Sequence, residues 1–453
     1  MSRRHRLWLL ALCLPLAAAL YPLAVQGAIE PRLLRYFTPK EILRHDAYLF
    51  PLYAHAIGDF AVSLALQISF LLFRLNARLL ARCDLWARAL GARLVRVGIL
   101  RRLGAVLTLL WGDAGWGGAL LFVATFFAVL DALGLPTGFY FGYLHERRHG
   151  LGVQSVGRWF YDYFKAESLA VMANGFLVFG LYGLARRKDR WWLWLGIPSS
   201  ILLLGAGILD PYRVQIMHDY LPLPQGRVRQ SVVEVLQKAK VEYQDVCLLK
   251  MKDLTRRADA FVIGQGPSRR IVLFDTFATA MTPDEVANGV AHELGHIGDR
   301  SPGRIWLASA TLLPSLYLLA RLLRWLGRGG RLGFTSDRDV ASLPAIYLAF
   351  ALVWYLAAPL SSAYSRHLER RADDYALELL RQPEAFRALM VKLVKLNMAD
   401  VHPPLYARVL SGHPLAIERI ERAEAFARQH ALPMAEPNPA MFQVPEASMP
   451  TPP

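Results

Sequence analysis

The sequence predicts a mainly α membrane protein, with seven transmembrane helices and a small water-facing α+β domain. Three observations carry this. Of 453 residues, 54 % are hydrophobic and only 19 % charged, which excludes a disordered chain, a collagen-like one and an ordinary soluble enzyme. Seven apolar stretches reach or approach the ~20 residues a membrane helix needs. Two further stretches have ordinary polarity and mixed helix and strand patterning.

The apolar stretches are Leu7–Val25, Leu52–Phe73, Ala119–Leu144, Leu169–Ala185, Trp191–Leu209, Ile305–Leu323 and Ala341–Leu360. Arg3, Arg4 and Arg6 precede the first as in a signal peptide. No small-x-small cleavage site follows and the run is long, so it reads as a retained helix. Asp131 and Pro136 interrupt the third, and the fourth is short. Gly104–Gly112 is apolar but too brief to cross and is assigned to a loop. The chain thus divides into a membrane domain with five helices (1–209), a water-facing insert (210–304), a transmembrane hairpin (305–360), a second water-facing portion (361–432) and a Pro-, Ala- and Met-rich tail, expected to be disordered (433–453).

A net charge of +16 would suggest nucleic acid in a soluble protein. Here the basic residues flank the apolar runs, where anionic headgroups and the positive-inside bias place them, so no nucleic-acid partner is expected. The three cysteines, Cys13, Cys83 and Cys247, are far apart. That excludes a disulfide framework and a Cys-based zinc site, and Cys247 reads as packing.

The chemistry is concentrated in VAHELGHIGD, residues 290–299. His292 and His296 are one turn apart on one helical face and can share a tetrahedral Zn²⁺. Glu293 beside them can act as general base toward a metal-activated water. Thr282-Pro283-Asp284-Glu285 reads as a capping box with Pro at the first helical position, starting the helix ten residues upstream of His292. A third ligand is expected from SRHLERRADDYAL, where Glu369 and Asp373 share a helical face. Glu369 would complete a His₂Glu site, and Asp373 would accept the free ring N–H of a ligand histidine. The plainer alternative is a solvated face on which Glu369 pairs with Arg366 or Arg370. Upstream, alternating Ala258–Gly264, a Gly266-Pro267 turn and IVLF predict a hairpin with an open edge.

Together these motifs resemble the type I CAAX prenyl protease family of integral-membrane zinc endopeptidases. HELGH, a membrane hairpin and S-R-x-x-E-x-x-A-D (Ser365, Arg366, Glu369, Ala372, Asp373) follow in the family's order. SGHP with Arg419 six residues after His413 is similar to its third motif. Glu146, His149 and Gly150 match the loop after its third membrane helix, with Leu151 where Phe is usual. The resemblance covers about residues 50–425. It implies seven helices around a water-filled chamber, a zincin-like domain, and one zinc ion held by His292, His296 and Glu369, with Glu293 as catalytic base. It further implies that His413 helps hold the oxyanion, the alternative being a helix cap before Pro414, and that Arg419 supports the substrate cleft. His55 and Asp59 would suit a wet chamber wall or, equally, the membrane interface. The family's substrate strand carries Asn-Ala-aromatic; this chain has Asp259, Ala260 and Phe261. An extended polypeptide, prenylated or otherwise membrane-associated or misfolded, could add to that edge by backbone hydrogen bonds. A non-proteolytic membrane chaperone using the same chamber is the competing function, and a transporter a weaker one.

Orientation follows from charge. With seven spans, the N-terminus and the second, fourth and sixth connections hold 20 lysines and arginines; the first and third hold 8. Positive-inside then leaves the zinc domain outside the cytoplasm of a multi-pass cell-membrane protein, whereas the family's eukaryotic members are generally taken to open to the cytosol.

Overall fold

The computed structural model describes residues 29–94, 115–202, 220–299 and 302–445. The first expected membrane segment and the end of the fifth lie outside these residues. The second begins earlier than its apolar run, as α1 (Pro39–Leu72). Thr38 and Glu41 form a capping box at its start, the N–H of Thr38 donating to Oε2 of Glu41 at 2.7 Å. Helix α2 (Leu75–Leu94), in a stretch expected only as a basic connection, packs on α3 (Trp116–Phe139). A π-helical turn, Tyr140–His145, continues α3, and α4 spans Val156–Arg187.

Four described helical stretches are long and apolar enough to cross a membrane: Pro39–Leu72, Trp116–Arg148, Val156–Arg187 and Val340–Leu380. That is fewer than the seven expected. Among the described residues the fifth segment is helical over 191–202. The sixth is a continuous helix, α9 (Pro302–Gly327). The membrane helices hold together through an aromatic core: Phe126 packs edge-on against Phe70 and Tyr347, with centroids 5.5 Å apart in each pair. Their outward faces stay apolar, with Phe176 73 %, Trp354 80 % and Leu360 77 % exposed. An apolar exterior of this kind suits contact with lipid.

The α+β subdomain is built on a four-stranded sheet: β1 (Tyr220–Pro222), β2 (Asp245–Leu249), β3 (Ala260–Ile263) and β4 (Arg270–Phe274). The order is β1-β2-β4-β3, with β2 and β4 parallel and the outer pairs antiparallel. Ile263 pairs with Arg270 across the expected hairpin. Gly264 closes its turn at φ +81°, where a Cβ would meet Ser268 O at 2.6 Å, so only glycine fits. β3 is left at an edge. Cys247 is buried beside Leu249, Ile263 and Val272, in packing.

Helices α5 (Arg227–Lys238), α6 (Asp275–Ala280), α7 (Pro283–Asp299), α10 (Leu343–Leu380, hereafter the long helix), α11 (Pro383–Asn397), α12 (Leu405–Leu410) and α13 (Ala416–Gln429) complete the fold, with the 191–202 helix carrying the label α8. The domain core joins the sheet to these helices through Ile271, Leu273, Phe277, Val290, Leu389 and Ile420. Part of the expected disordered tail belongs to this core. Phe442 is 2 % and Val444 8 % exposed, and the buried Arg387 donates to the Ala435 carbonyl at 2.8 Å. Prolines dominate the tail's composition and mask these two apolar anchors in the sequence.

Candidate active site

Helix α7 starts where its capping box predicts: the N–H of Thr282 donates to Oε2 of Glu285 at 2.8 Å, and the N–H of Glu285 to Oγ1 of Thr282 at 3.3 Å. From that start, three turns bring His292 and His296 to the face opposite α10, their ring centroids 4.9 Å apart. The helices touch at Gly295, where a Cβ would lie 2.7 Å from Cα of Ala372. Glycine in one motif and alanine in the other therefore let the two backbones approach closely enough for their side chains to converge.

Glu369 arrives between the imidazoles. Its Oε2 is 3.5 Å from Nε2 of His292 and its Oε1 is 3.3 Å from Nε2 of His296. Ligand atoms of His292, Glu293 and His296 also lie within 4.8 Å of one another. This His/Glu/His cluster can coordinate one zinc ion, and the donor set, two imidazole nitrogens with carboxylate oxygens, suits that metal. The buried carboxylate of Glu369 meets imidazole nitrogens of His292, His296 and His413, and together they form the nitrogen and oxygen donor set that a shared cation satisfies. Arg366 is not its partner. It donates to the carbonyls of Arg408, Val409 and Ser411 at 3.1, 3.3 and 2.6 Å.

Beneath the cluster, Oδ1 of Asp373 lies 2.9 Å from Nδ1 of His292. Arg419 grips the same carboxylate, Nε to Oδ2 at 2.9 Å and Nη2 to Oδ1 at 2.5 Å. Burial and the Arg419 charge work to lower the His292 pKa; the hydrogen bonds to Asp373 and Glu369 outweigh them and lift it to about 9. The surroundings thus favour positive charge at this imidazole. Burial pushes the Glu293 carboxyl above its ordinary value, against the two imidazoles.

These groups open into a cleft of about 380 Å³, lined on one side by Asp259, Ala260 and Phe261 and on the other by Glu293, His413 and Arg419. His292, Glu293, His296, Glu369, His413, Arg419 and Asp259–Phe261 thus meet in this cleft, with Asp373 beneath it. Two differ in detail from expectation. Arg419 spends its guanidinium on Asp373 rather than on the open cleft. His413, 70 % exposed, lies with Nδ1 2.9 Å from Oε2 of Glu369. The sequence reading missed Arg366 as the clamp on the loop that carries His413. Its place one turn before Glu369 was the available signal; in the structure Ser362 Oγ holds the same segment, donating to Leu410 O at 2.8 Å. His55 stacks on Phe141 with centroids 4.1 Å apart, and Asp59 is exposed.

Comparison with known proteins agrees with this geometry. A family model described as peptidase family M48 matches residues 222–427. Another, described as CAAX prenyl protease N-terminal, five membrane helices, matches residues 32–215. The chain is 28 % identical over 315 residues to an uncharacterized metalloprotease, YhfN, of Bacillus subtilis, covering 67 % of this chain and 72 % of that one. It is 22 % identical to CAAX prenyl protease 1 of Saccharomyces cerevisiae, covering 67 % and 71 %. The crystal structure of S. mikatae Ste24p superposes with a TM-score of 0.73 at 16 % identity, covering 91 % of this chain and 97 % of that chain. That last likeness is one of fold.

Proposed function

We propose that the chain is a membrane zinc metalloprotease of the peptidase M48 family acting on polypeptides, whose residues divide the work as follows. His292, His296 and Glu369 hold the ion; Glu293 is the base. The observation that carries this is the meeting of two imidazoles from α7 and one carboxylate from α10 on a single point beside an open strand edge. When bound, zinc supplies Lewis acidity, acidifying water and polarising a peptide carbonyl.

The chain's own groups do the rest. Glu293, recessed at the cleft, takes the proton of the attacking water and returns it to the leaving amine; its raised pKa matches a group that must both hold and release a proton. Asp373 fixes the His292 tautomer with the proton on Nδ1, leaving Nε2 free as a ligand. Arg419 offsets the charge of Asp373, which is wholly buried. The open edge of β3, from Asp259 to Phe261, pairs with an extended polypeptide. His413 closes the cleft over the developing oxyanion. A binding module without proteolysis has no use for Glu293 in this position.

The fuller architecture, seven helices around a chamber with a zincin-like domain at its mouth, is supported by the family model of five membrane helices followed by α9 and α10. Prenylated and misfolded membrane polypeptides both suit such a site. The zinc domain lies outside the cytoplasm. Supporting this, three basic connections meet on one face: Asn76 Nδ2 donates to Leu332 O at 2.9 Å, and Arg324 Nη2 to Asp189 O at 3.1 Å. A reporter fused after Pro453 tests sidedness, and activity in the cytoplasm would reverse it. For the activity itself, purified metallated protein should cut unstructured peptides in a chelator-sensitive manner. Failure across a broad peptide library would overturn the assignment.

A further inference from the structure

Two membrane helices converge on the peptide that leads into β3. Helix α3 continues into the π-helical turn Tyr140–His145, a widened turn that re-aims the residues after it. It delivers Glu146. The Glu146 carboxylate accepts hydrogen bonds from Tyr48 of α1 and from Nη2 of Arg257, the latter at 3.0 and 3.2 Å. Its carbonyl accepts the N–H groups of Leu151 and Gly152, at 2.8 and 3.1 Å. A Cβ on Gly152 would lie 3.1 Å from Cβ of Glu146, so the loop closes this tightly around glycine.

The loop then runs antiparallel to the approach to β3. The N–H of Val153 donates to Leu254 O at 3.2 Å, and the N–H of Arg256 to Leu151 O at 2.9 Å, around a bridge between Gly152 and Thr255. From the other side, Asn397 at the end of α11 clasps the next peptide unit. The Ala258 N–H donates to its Oδ1 at 2.8 Å, and its Nδ2 donates to Ala258 O at 2.9 Å. Nη1 of Arg257 reaches the Asn397 carbonyl at 3.3 Å. The first cleft residue, Asp259, follows at once.

Strand β3 already has its inner pairing with β4 and buries Val262 and Ile263. The loop adds control of the height and rotation of the strand's leading end, the part that lines the cleft. We propose that Glu146 is a positioning residue for substrate binding: acting through Arg257, it holds the open edge of β3 where a polypeptide can pair with it. This rests on the reading of β3 as the substrate strand. It makes the ends of α1 and α3 part of the binding apparatus although neither touches substrate.

The test uses the full-length metallated protein in lipid nanodiscs, with Glu146→Gln, Arg257→Gln and the double variant. A charge-assisted hydrogen bond lost at this half-buried pair should raise KM for an extended peptide about tenfold, with kcat within about twofold. The double variant should be no worse than either single one, since the pair acts as a unit. Hydrogen exchange at residues 258–263 should quicken about tenfold in Glu146→Gln while α7 is unchanged. Unchanged KM, additive single effects, or exchange that quickens equally across the domain would each overturn the proposal. A wild type that cuts no peptide would defeat the proteolytic reading instead. The exchange measurement, which needs no turnover, tells the two failures apart: strand-specific quickening keeps Glu146 as the holder of β3, and its absence removes that as well.

Discussion

Nδ1 of His292 and Oδ1 of Asp373 lie 2.9 Å apart, joining α7 to α10 beneath the metal cluster. Asp373 is wholly buried, and a carboxylate so placed is tolerated only with full compensation, which His292 and Arg419 supply. Asp373→Asn keeps the shape but presents an amide that can donate where an acceptor is needed. Zinc affinity should fall about 10–100-fold, read by competition with a chromogenic chelator. An unchanged affinity would reduce the contact to packing.

Glu293 and Glu369 are separable by what each loses. Glu293→Gln should retain zinc and lower kcat by about 10²–10⁴. Glu369→Ala should lose the metal, seen by elemental analysis of the purified protein. If both variants lose zinc equally, the division between base and ligand is wrong.

Gly295→Ala inserts a methyl group where the backbone of Ala372 lies 2.7 Å away. Neither helix can yield a side chain there, so the backbones must part. A loss of about 1–3 kcal/mol is expected, together with weaker zinc binding. Thermal unfolding with and without zinc checks both; a variant as stable as the parent would show that the contact is loose.

These predictions rest on parts that were unevenly legible. The zinc helix could be read completely because everything that specifies it is local: the cap at Thr282, the His spacing, the adjacent Glu293. Glu369 was legible as a candidate but not as a choice, since Arg366 and Arg370 stood next to it in the chain. The choice comes from Arg366 being occupied by carbonyls of a distant loop. The β3 hairpin was readable from alternation and its Gly-Pro turn. Neither α2 nor the packed tail was, for opposite reasons. In α2 (Leu75–Leu94) frequent arginines obscure a helix that packs on α3. In the tail only Phe442 and Val444 dock, and single apolar anchors have no periodicity.

The tail yields its own test. Phe442 lies under the Arg387 guanidinium, 5.7 Å from its carbon, with the Tyr36 ring 6.2 Å away. Phe442→Ala should cost about 3 kcal/mol, and truncation after Leu432 at least as much. A melting temperature unchanged by either would show that the segment only rests on the surface.

His149 gives a pH dependence. Burial first, then the neighbouring His145 and the arginines Arg44 and Arg148, depress its pKa to about 4. The folded state therefore binds fewer protons than the unfolded one between the ordinary histidine value of about 6.5 and 4. Stability is fully present above the unfolded value and is lost as pH falls through that window. His149→Gln should flatten this part of the melting-temperature profile; an unaltered slope would assign the loss to other groups.

The long helix α10 has a mechanical consequence. It runs unbroken from Leu343 to Leu380, so the same rod carries lipid-facing Trp354 and Leu360 and then Glu369. Leu343 and Glu369 are roughly 39 Å apart along it, and a tilt of about 5° at one end swings the other by roughly 3 Å. The surrounding bilayer is thereby geared to the seat of the metal, and Pro359, inside the helix ten residues before Glu369, is where a missing backbone hydrogen bond lets the rod bend.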